Sequence, residues 1–156
     1  MRILTISILL LLIAINAQAQ SEDYNAVKQQ KLAIKSPFEK IIDRELPATI
    51  EYEDDEIIAF IPLRSQAPVH VLIAPKKRIP TMNDIQEEDA LLLGRMIIVA
   101  KNLASEKGIS ESGYRLVFNT NEDSGQSVFH IHLHLIGGKK LGPMTTQDYV
   151  DPEHRE

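Results

Sequence analysis

Three histidines alternate with aliphatic residues near the C-terminal end of the chain: His130, His132 and His134. A β-strand has a side-chain period of two, so this alternation predicts a strand over residues 129–136 with the three imidazoles on one face. A single histidine on a strand is usually solvated or hydrogen-bonded. Three in register place several groups that titrate near neutral pH along the same face, which favours a functional site.

The remaining pattern is strand-rich, with two clear helices. Ser36, Pro37 and Glu39 form a capping-box signal that predicts a helix over residues 36–46. Residues 88–107 predict a longer helix whose apolar face is wider than one sheet surface needs. We therefore expect an α+β fold with a five-stranded antiparallel sheet and two or three helices. The predicted strands are residues 49–52, 57–61, 69–74, 114–118 and 129–136.

The N-terminus has the layout of a secretory signal peptide. Residues 1–19 contain one charge, an apolar run of 13 residues and an Ala-x-Ala site that ends at Ala19. The run is shorter than the roughly 20 residues of a membrane span, and an uncleaved anchor is the alternative. We predict an exported protein, periplasmic or secreted, with no stable membrane association after cleavage. A polar segment, residues 20–35, follows.

Composition removes several functional classes. The formal net charge is −5, which argues against binding the phosphate backbone of nucleic acid through a broad basic surface. The chain has no cysteine, so disulfides, cysteine-ligated zinc and a thiolate nucleophile are excluded. Chemistry at the predicted strand therefore depends on imidazole.

Two kinds of chemistry are open to the histidines. In a zinc site the ligand nitrogens lie about 2.0–2.1 Å from the metal, whereas His130 and His134 are about 13 Å apart along a strand. Zinc would therefore need two of the three together with His70 or a distant carboxylate, since residues 124–147 contain no Asp or Glu. Alternatively, a neutral imidazole can attack a phosphorus or carbonyl centre if its far nitrogen is hydrogen-bonded.

A polar loop directly before the strand favours the nucleophilic alternative. Gly125 permits a turn in which successive N–H groups bind an anion, and Gln126 and Ser127 add side-chain donors. By itself the loop, residues 119–127, is explained equally well as a hairpin connection. Next to three histidines, catalysis is the better interpretation.

The segment 126–138 resembles the signature of the histidine-triad family, in which three histidines alternate with apolar residues. The Gln-Ser before it and the Gly-Gly after it are similar to the Hint-type branch, the histidine-triad nucleotide-binding proteins. The resemblance extends over residues 36–138 and gives a domain at 36–140. It implies a homodimer that hydrolyses nucleotides or nucleoside phosphoramidates at the α-phosphorus, with no metal or other cofactor.

The resemblance also implies roles for individual residues. His132 matches the nucleophile that forms a nucleotidyl-histidine intermediate, and His134 and His70 match residues that contact the phosphate. His130 matches the histidine whose carbonyl holds the nucleophile's other nitrogen. The expected substrate contacts are Asn119, Gly125, Gln126 and Ser127 for the phosphate and leaving group, and Phe60 and Leu63 for the walls of a purine slot.

Three features depart from the family pattern. Pro62 stands where the family often has an acidic residue for the ribose hydroxyls, and the tail, residues 141–156, diverges. The third is the signal-peptide pattern, since the family is mostly intracellular. A nucleotide phosphoramidase or nucleotidyl hydrolase is the main prediction. The alternatives are a non-catalytic nucleotide-binding module and a zinc protein.

Overall fold

The computed structural model describes residues 23–143. The predicted signal peptide, residues 1–19, and all but the first three residues of the tail, 141–156, lie outside the described residues. Within this range no helix is long and apolar enough to cross a membrane. Residues 23–32 are helical and are named α1. The other elements are α2 (Pro37–Ile42), β1 (Ile50–Glu53), β2 (Ile57–Phe60), β3 (Val69–Pro75), α3 (Ala90–Glu106), β4 (Tyr114–Phe118) and β5 (Leu133–Gly137).

The five strands form one antiparallel sheet in the order β1-β2-β3-β5-β4, so the predicted fold class is confirmed. Strand β3 is central, with β2 on one side and β5 on the other. Its register with β5 places His70 opposite Ile136 and Leu72 opposite His134. His70 and His134 are therefore diagonal neighbours on one face of the sheet.

The last strand is shorter than the sequence pattern predicts. It begins at Leu133, so His130 and His132 precede it, and the predicted start at residue 129 is wrong. Extending the register of β3 and β5 would place Pro75 opposite Ile131, and proline has no N–H for the ladder. The Ile131 N–H instead donates to the Ile79 carbonyl at 2.7 Å. Residues 126–132 consequently cross the end of β3 as an irregular segment.

Alternation along the central strands divides the core between the two faces of the sheet. Val71 and Ile73 point toward α3, and Leu72 and Ala74 point toward α2, where they pack around Phe38. The aliphatic residues of the histidine segment share the face opposite the imidazoles, as their alternation predicts, and they pack on the α3 side: Ile131, Leu133 and Leu135.

Helix α2 starts as predicted and ends early. The Ser36–Glu39 capping box is present, which confirms the start. The helix ends at Ile42 because Arg44 adopts a left-handed conformation with φ 62°. The N–H of Glu45 then donates to the Lys40 carbonyl at 2.7 Å, which forms a Schellman-type stop.

Helix α3 has two apolar faces, as its wide predicted face indicates. One face packs on the sheet through Leu92, Met96, Val99 and Leu103, all buried. The other remains exposed in the monomer, with Leu91, Ile97 and Ile98 at its surface.

Candidate active site

Four imidazoles meet on the α2 side of the sheet, and they are the four histidines that the family resemblance groups together. His70 comes from β3, His134 from β5, and His130 and His132 from the segment before β5. The His132 and His134 ring centroids are 4.8 Å apart, and those of His70 and His134 are 5.2 Å apart. The sheet register and the irregular segment together build one cluster from residues 60 positions apart in the chain.

His132 carries its proton on Nδ1. This nitrogen lies 2.9 Å from the backbone carbonyl oxygen of His130, and a carbonyl only accepts. Burial lowers the pKa of the imidazole, against the opposing effect of that hydrogen bond, so the ring is neutral near pH 7. The lone pair then lies on Nε2. Phe38 packs edge-on against the ring with centroids 4.9 Å apart and restricts its orientation.

Both ring nitrogens of His130 are used inside the protein. Nε2 donates to the Pro75 carbonyl at 2.7 Å, and Nδ1 therefore accepts from the Ser36 hydroxyl at 3.1 Å. The side chain is completely buried, and this burial lowers its pKa. His130 thus contributes its backbone carbonyl to His132, while its ring anchors the segment to α2 and β3.

His70 and His134 form a directed pair. The backbone N–H of Gln66 donates to His70 Nδ1 at 3.1 Å, so the proton of His70 is on Nε2. That proton is donated to His134 Nδ1 at 2.9 Å, which leaves the His134 proton on Nε2. Among residues 23–143, His134 Nε2 is a buried polar atom without a hydrogen-bond partner.

Burial and neighbouring charge keep this pair neutral. Burial, followed by the charges of His132 and His70, lowers the pKa of His134 to about 4. Burial also lowers the pKa of His70, with a further contribution from His132. The cluster therefore presents a nucleophilic lone pair on His132 and an N–H donor on His134. This combination suits attack on an electrophilic atom whose oxygen substituents carry negative charge.

Known proteins resemble this chain in sequence. Residues 43–141 match the HIT domain family. The chain belongs to this family. Over 113 residues it is 52% identical to the purine nucleoside phosphoramidase of Escherichia coli (strain K12), which covers 72% of this chain and 95% of that enzyme.

Solved structures of HIT proteins have the same fold. The HIT family hydrolase from Legionella pneumophila Philadelphia 1 is 52% identical with a TM-score of 0.68, covering 69% of this chain and 96% of that one. The HIT family hydrolase from Clostridium thermocellum is 47% identical with a TM-score of 0.68, covering 70% and 95%. This chain is therefore a HIT family hydrolase.

The loop before the HIT histidines is shaped by Gln126. Its side-chain oxygen accepts from the Asn121 N–H at 2.8 Å, and its amide donates to the carbonyls of Pro80 and Val128 at 2.8 and 3.1 Å. The amide that the sequence pattern assigned to the substrate is thus occupied by the backbone. Gly125 has a φ of 76°, as a tight turn there requires, and Ser127 is exposed.

The two residues expected to form a purine slot have different surroundings. Phe60 is buried and packs edge-on against Phe38 with centroids 5.1 Å apart. Leu63 is fully exposed on the connection between β2 and β3. Phe60 is therefore part of the core that supports the HIT histidines, while Leu63 is open to solvent. Asn119, at the start of the loop, is half-buried.

Several groups that support the histidines were not predicted from the sequence. Ser36 was predicted only as a helix cap. No local pattern marks the Phe38 ring, the Pro75 carbonyl or the Gln66 N–H as a contact of a histidine. The capping box could have drawn attention to Ser36, but its contact with His130 spans 94 positions.

The zinc alternative receives no support from the donor atoms. His130 uses both ring nitrogens on protein groups, and His70 and His134 bond to each other. In the part of the chain that the structure describes, no group of three or more His, Asp or Glu side chains is placed to hold a metal ion.

Proposed function

We propose that this HIT hydrolase cleaves nucleoside phosphoramidates, or nucleotides with another small leaving group, at the α-phosphorus. The observation that carries the proposal is the opposite protonation of two adjacent imidazoles, with a lone pair on His132 Nε2 and a proton on His134 Nε2. The name of the E. coli relative, purine nucleoside phosphoramidase, supports the substrate class.

In the first step, His132 Nε2 forms a bond to phosphorus as the bond from phosphorus to the amine breaks. The amine leaves with a proton taken from water. The imidazole becomes positive, and its Nδ1–H remains bonded to the His130 carbonyl, which stabilises that charge. The product is a nucleotidyl-His132 intermediate.

In the second step, water attacks phosphorus and the bond to His132 Nε2 breaks. The attacking water releases a proton to solvent, and His132 returns to its neutral form. Throughout both steps, His134 Nε2–H donates to a phosphoryl oxygen whose negative charge increases in the transition state. The Gln66–His70–His134 hydrogen bonds keep that proton in place.

The loop residues complete the proposed substrate site. We assign the phosphate and leaving group to Asn119, Ser127 and the backbone at Gly125, with Gln126 holding the loop through its backbone contacts. Phe60 supports the base-binding side from within the core, and exposed Leu63 is available to cover a base. Pro62 offers no side-chain acceptor, so ribose hydroxyls are held weakly there.

Assembly and location are part of the proposal. A homodimer is supported by the exposed apolar face of α3, formed by Leu91, Ile97 and Ile98. Within residues 23–143, strand β4 lies at one end of the sheet and pairs only with β5. Its other edge is therefore open to pairing with a strand of a partner chain. Light scattering of the mature protein gives the mass of the assembly.

Export is supported by the signal-peptide pattern at 1–19, and N-terminal sequencing of protein from the exported fraction tests cleavage after Ala19.

The activity test is hydrolysis of adenosine 5′-phosphoramidate by the mature protein and by His132→Ala. We expect the variant to lose at least a thousandfold in kcat, which corresponds to about 4 kcal/mol of barrier. Folding of the variant is checked by circular dichroism, and Gln30→Ala, an exposed position on α1, is the control. Unchanged turnover in His132→Ala would refute the nucleophile. AMP binding by calorimetry without any turnover would indicate a binding module instead.

A further inference from the structure

The Arg78 guanidinium joins α1 to the segment that carries the histidines. Its Nε donates to the Phe129 carbonyl at 3.1 Å. Its two terminal nitrogens donate to the carbonyls of Ile34 at 2.7 Å and Lys31 at 3.0 Å. The side chain is 18% exposed. Its bond to the Phe129 carbonyl is partly buried, whereas its bonds to Ile34 and Lys31 lie at the surface. One side chain therefore fixes two segments that are about a hundred residues apart.

The Phe129 carbonyl belongs to the peptide bond that precedes His130. The next carbonyl along the chain, that of His130, accepts the proton of His132 Nδ1. A shift of the Phe129–His130 peptide would therefore change the hydrogen bond that orients His132. Arg78 is thus one residue removed from the group that determines where the His132 lone pair points.

Arg78 also contacts the other support of His130. Its Nη1 lies 3.1 Å from a carboxylate oxygen of Glu39. The same oxygen accepts from the Ser36 N–H at 2.7 Å, and the Ser36 hydroxyl holds the His130 ring. The guanidinium is therefore connected to His130 through its backbone on one side and its ring on the other.

Helix α1 completes this arrangement and precedes the residues that match the HIT family, 43–141. The ammonium of Lys31 donates to the Ser127 carbonyl at 3.1 Å, and the Tyr24 ring packs edge-on against Phe129 at 5.9 Å. The Lys28 and Lys31 ammonium groups lie 5.7 and 5.8 Å from the centre of the same ring. The helix thus contacts the loop from Ser127 to Phe129 on its outer side.

We propose that Arg78 is a positioning residue for this active site, and that α1 holds its guanidinium in place. Arg78 sets the Phe129–His130 peptide, and this peptide sets the carbonyl that orients His132. The inference rests on the proposed role of His132. It assigns a catalytic contribution to a helix that lies outside the matched family region.

The first test compares Arg78→Ala with Lys77→Ala. Lys77 is adjacent, carries the same charge and pairs with Asp89 at the start of α3, away from the histidines. We expect Arg78→Ala to lower kcat on the order of tenfold to a hundredfold, the effect of a small misplacement of a reacting group. KM changes little because the guanidinium is bonded to protein groups. Lys77→Ala retains the kcat of the wild type.

The second test observes the His132 hydrogen bond directly. By NMR, the Nδ1–H of His132 should give a downfield, exchange-protected proton signal, which shifts or exchanges faster in Arg78→Ala. Arg78→Lys keeps the charge and one donor group, so it should recover part of both the signal and kcat. This conservative variant also keeps the proposal testable if Arg78→Ala is poorly folded.

The third test concerns α1. Gln29→Pro removes a backbone N–H and clashes within the helix, so it should lower kcat in the same direction as Arg78→Ala. Gln30→Ala, exposed on the same helix, is the control and should not. Wild-type kcat and an unchanged His132 signal in folded Arg78→Ala or Arg78→Lys would overturn the proposal. Full turnover by His132→Ala would instead refute the nucleophile, whatever the result at Arg78.

Discussion

Removing the Ser36 hydroxyl should destabilise the protein by more than a helix cap is worth. The hydroxyl oxygen accepts from the Glu39 N–H at 3.1 Å and donates to His130 Nδ1, also at 3.1 Å. Ser36→Ala removes both bonds. Loss of the cap costs about 1 kcal/mol. His130 is completely buried, so an unpaired Nδ1 there adds about 1–3 kcal/mol. The expected loss in free energy of unfolding is therefore about 2–4 kcal/mol.

Urea unfolding of two variants separates these contributions. Glycine is nearly as good a cap as serine, so Ser36→Gly loses only a few tenths of a kcal/mol at the helix start. It should still lose about 1–3 kcal/mol through His130. Thr81→Ala is the control: it removes another buried capping hydroxyl, one that bonds only within its own turn, so it should lose only the roughly 1 kcal/mol of a cap. Wild-type stability in Ser36→Gly would refute the reasoning about His130.

Three further predictions concern the histidine pair and pH. His70→Asn removes the Nε2–H that orients His134, so kcat should fall about tenfold to a hundredfold. An unchanged kcat in steady-state assays would contradict the proposed role of the Gln66–His70–His134 hydrogen bonds. The pKa values of His70, His132 and His134 are all lowered, so the acid limb of kcat/KM should lie below pH 6.5; a limb at or above 6.5 would count against neutral imidazoles. Because these pKa values are lower in the folded state, the unfolded chain binds more protons. The free energy of unfolding therefore has its full value above pH 6.5 and decreases as the pH falls toward about 4, the pKa of His134. Urea midpoints measured across this range test this pH dependence.

The sequence predicts the face of the histidines and not the end of their strand. Alternation is a local property, so the shared face of His132 and His134 follows from spacing alone. The strand start depends on Pro75, which lies opposite residue 131 only once the register with β3 is known. A non-local pairing therefore decided what a local pattern could not.

Capping residues show the same limit. Ser36 and Glu39 predict the start of α2 because a capping box involves only four consecutive residues. The second bond of Ser36, to His130, appears only after the chain has folded. Helix α1 had no decisive pattern, and its contacts with Phe129 and Ser127 depend on tertiary structure. The residues that act on phosphorus were thus accessible from sequence, while those that orient them were not.

The stereochemical course at phosphorus tests the central claim most directly. Attack by His132 followed by attack of water inverts the configuration twice, so the account predicts overall retention. A single diastereomer of adenosine 5′-phosphoramidothioate, hydrolysed in ¹⁸O-labelled water, gives a chiral thiophosphate whose configuration can be determined. Retention is the result that a nucleotidyl-His132 intermediate requires. Inversion would mean that water attacks phosphorus directly, and it would contradict the nucleophilic role of His132.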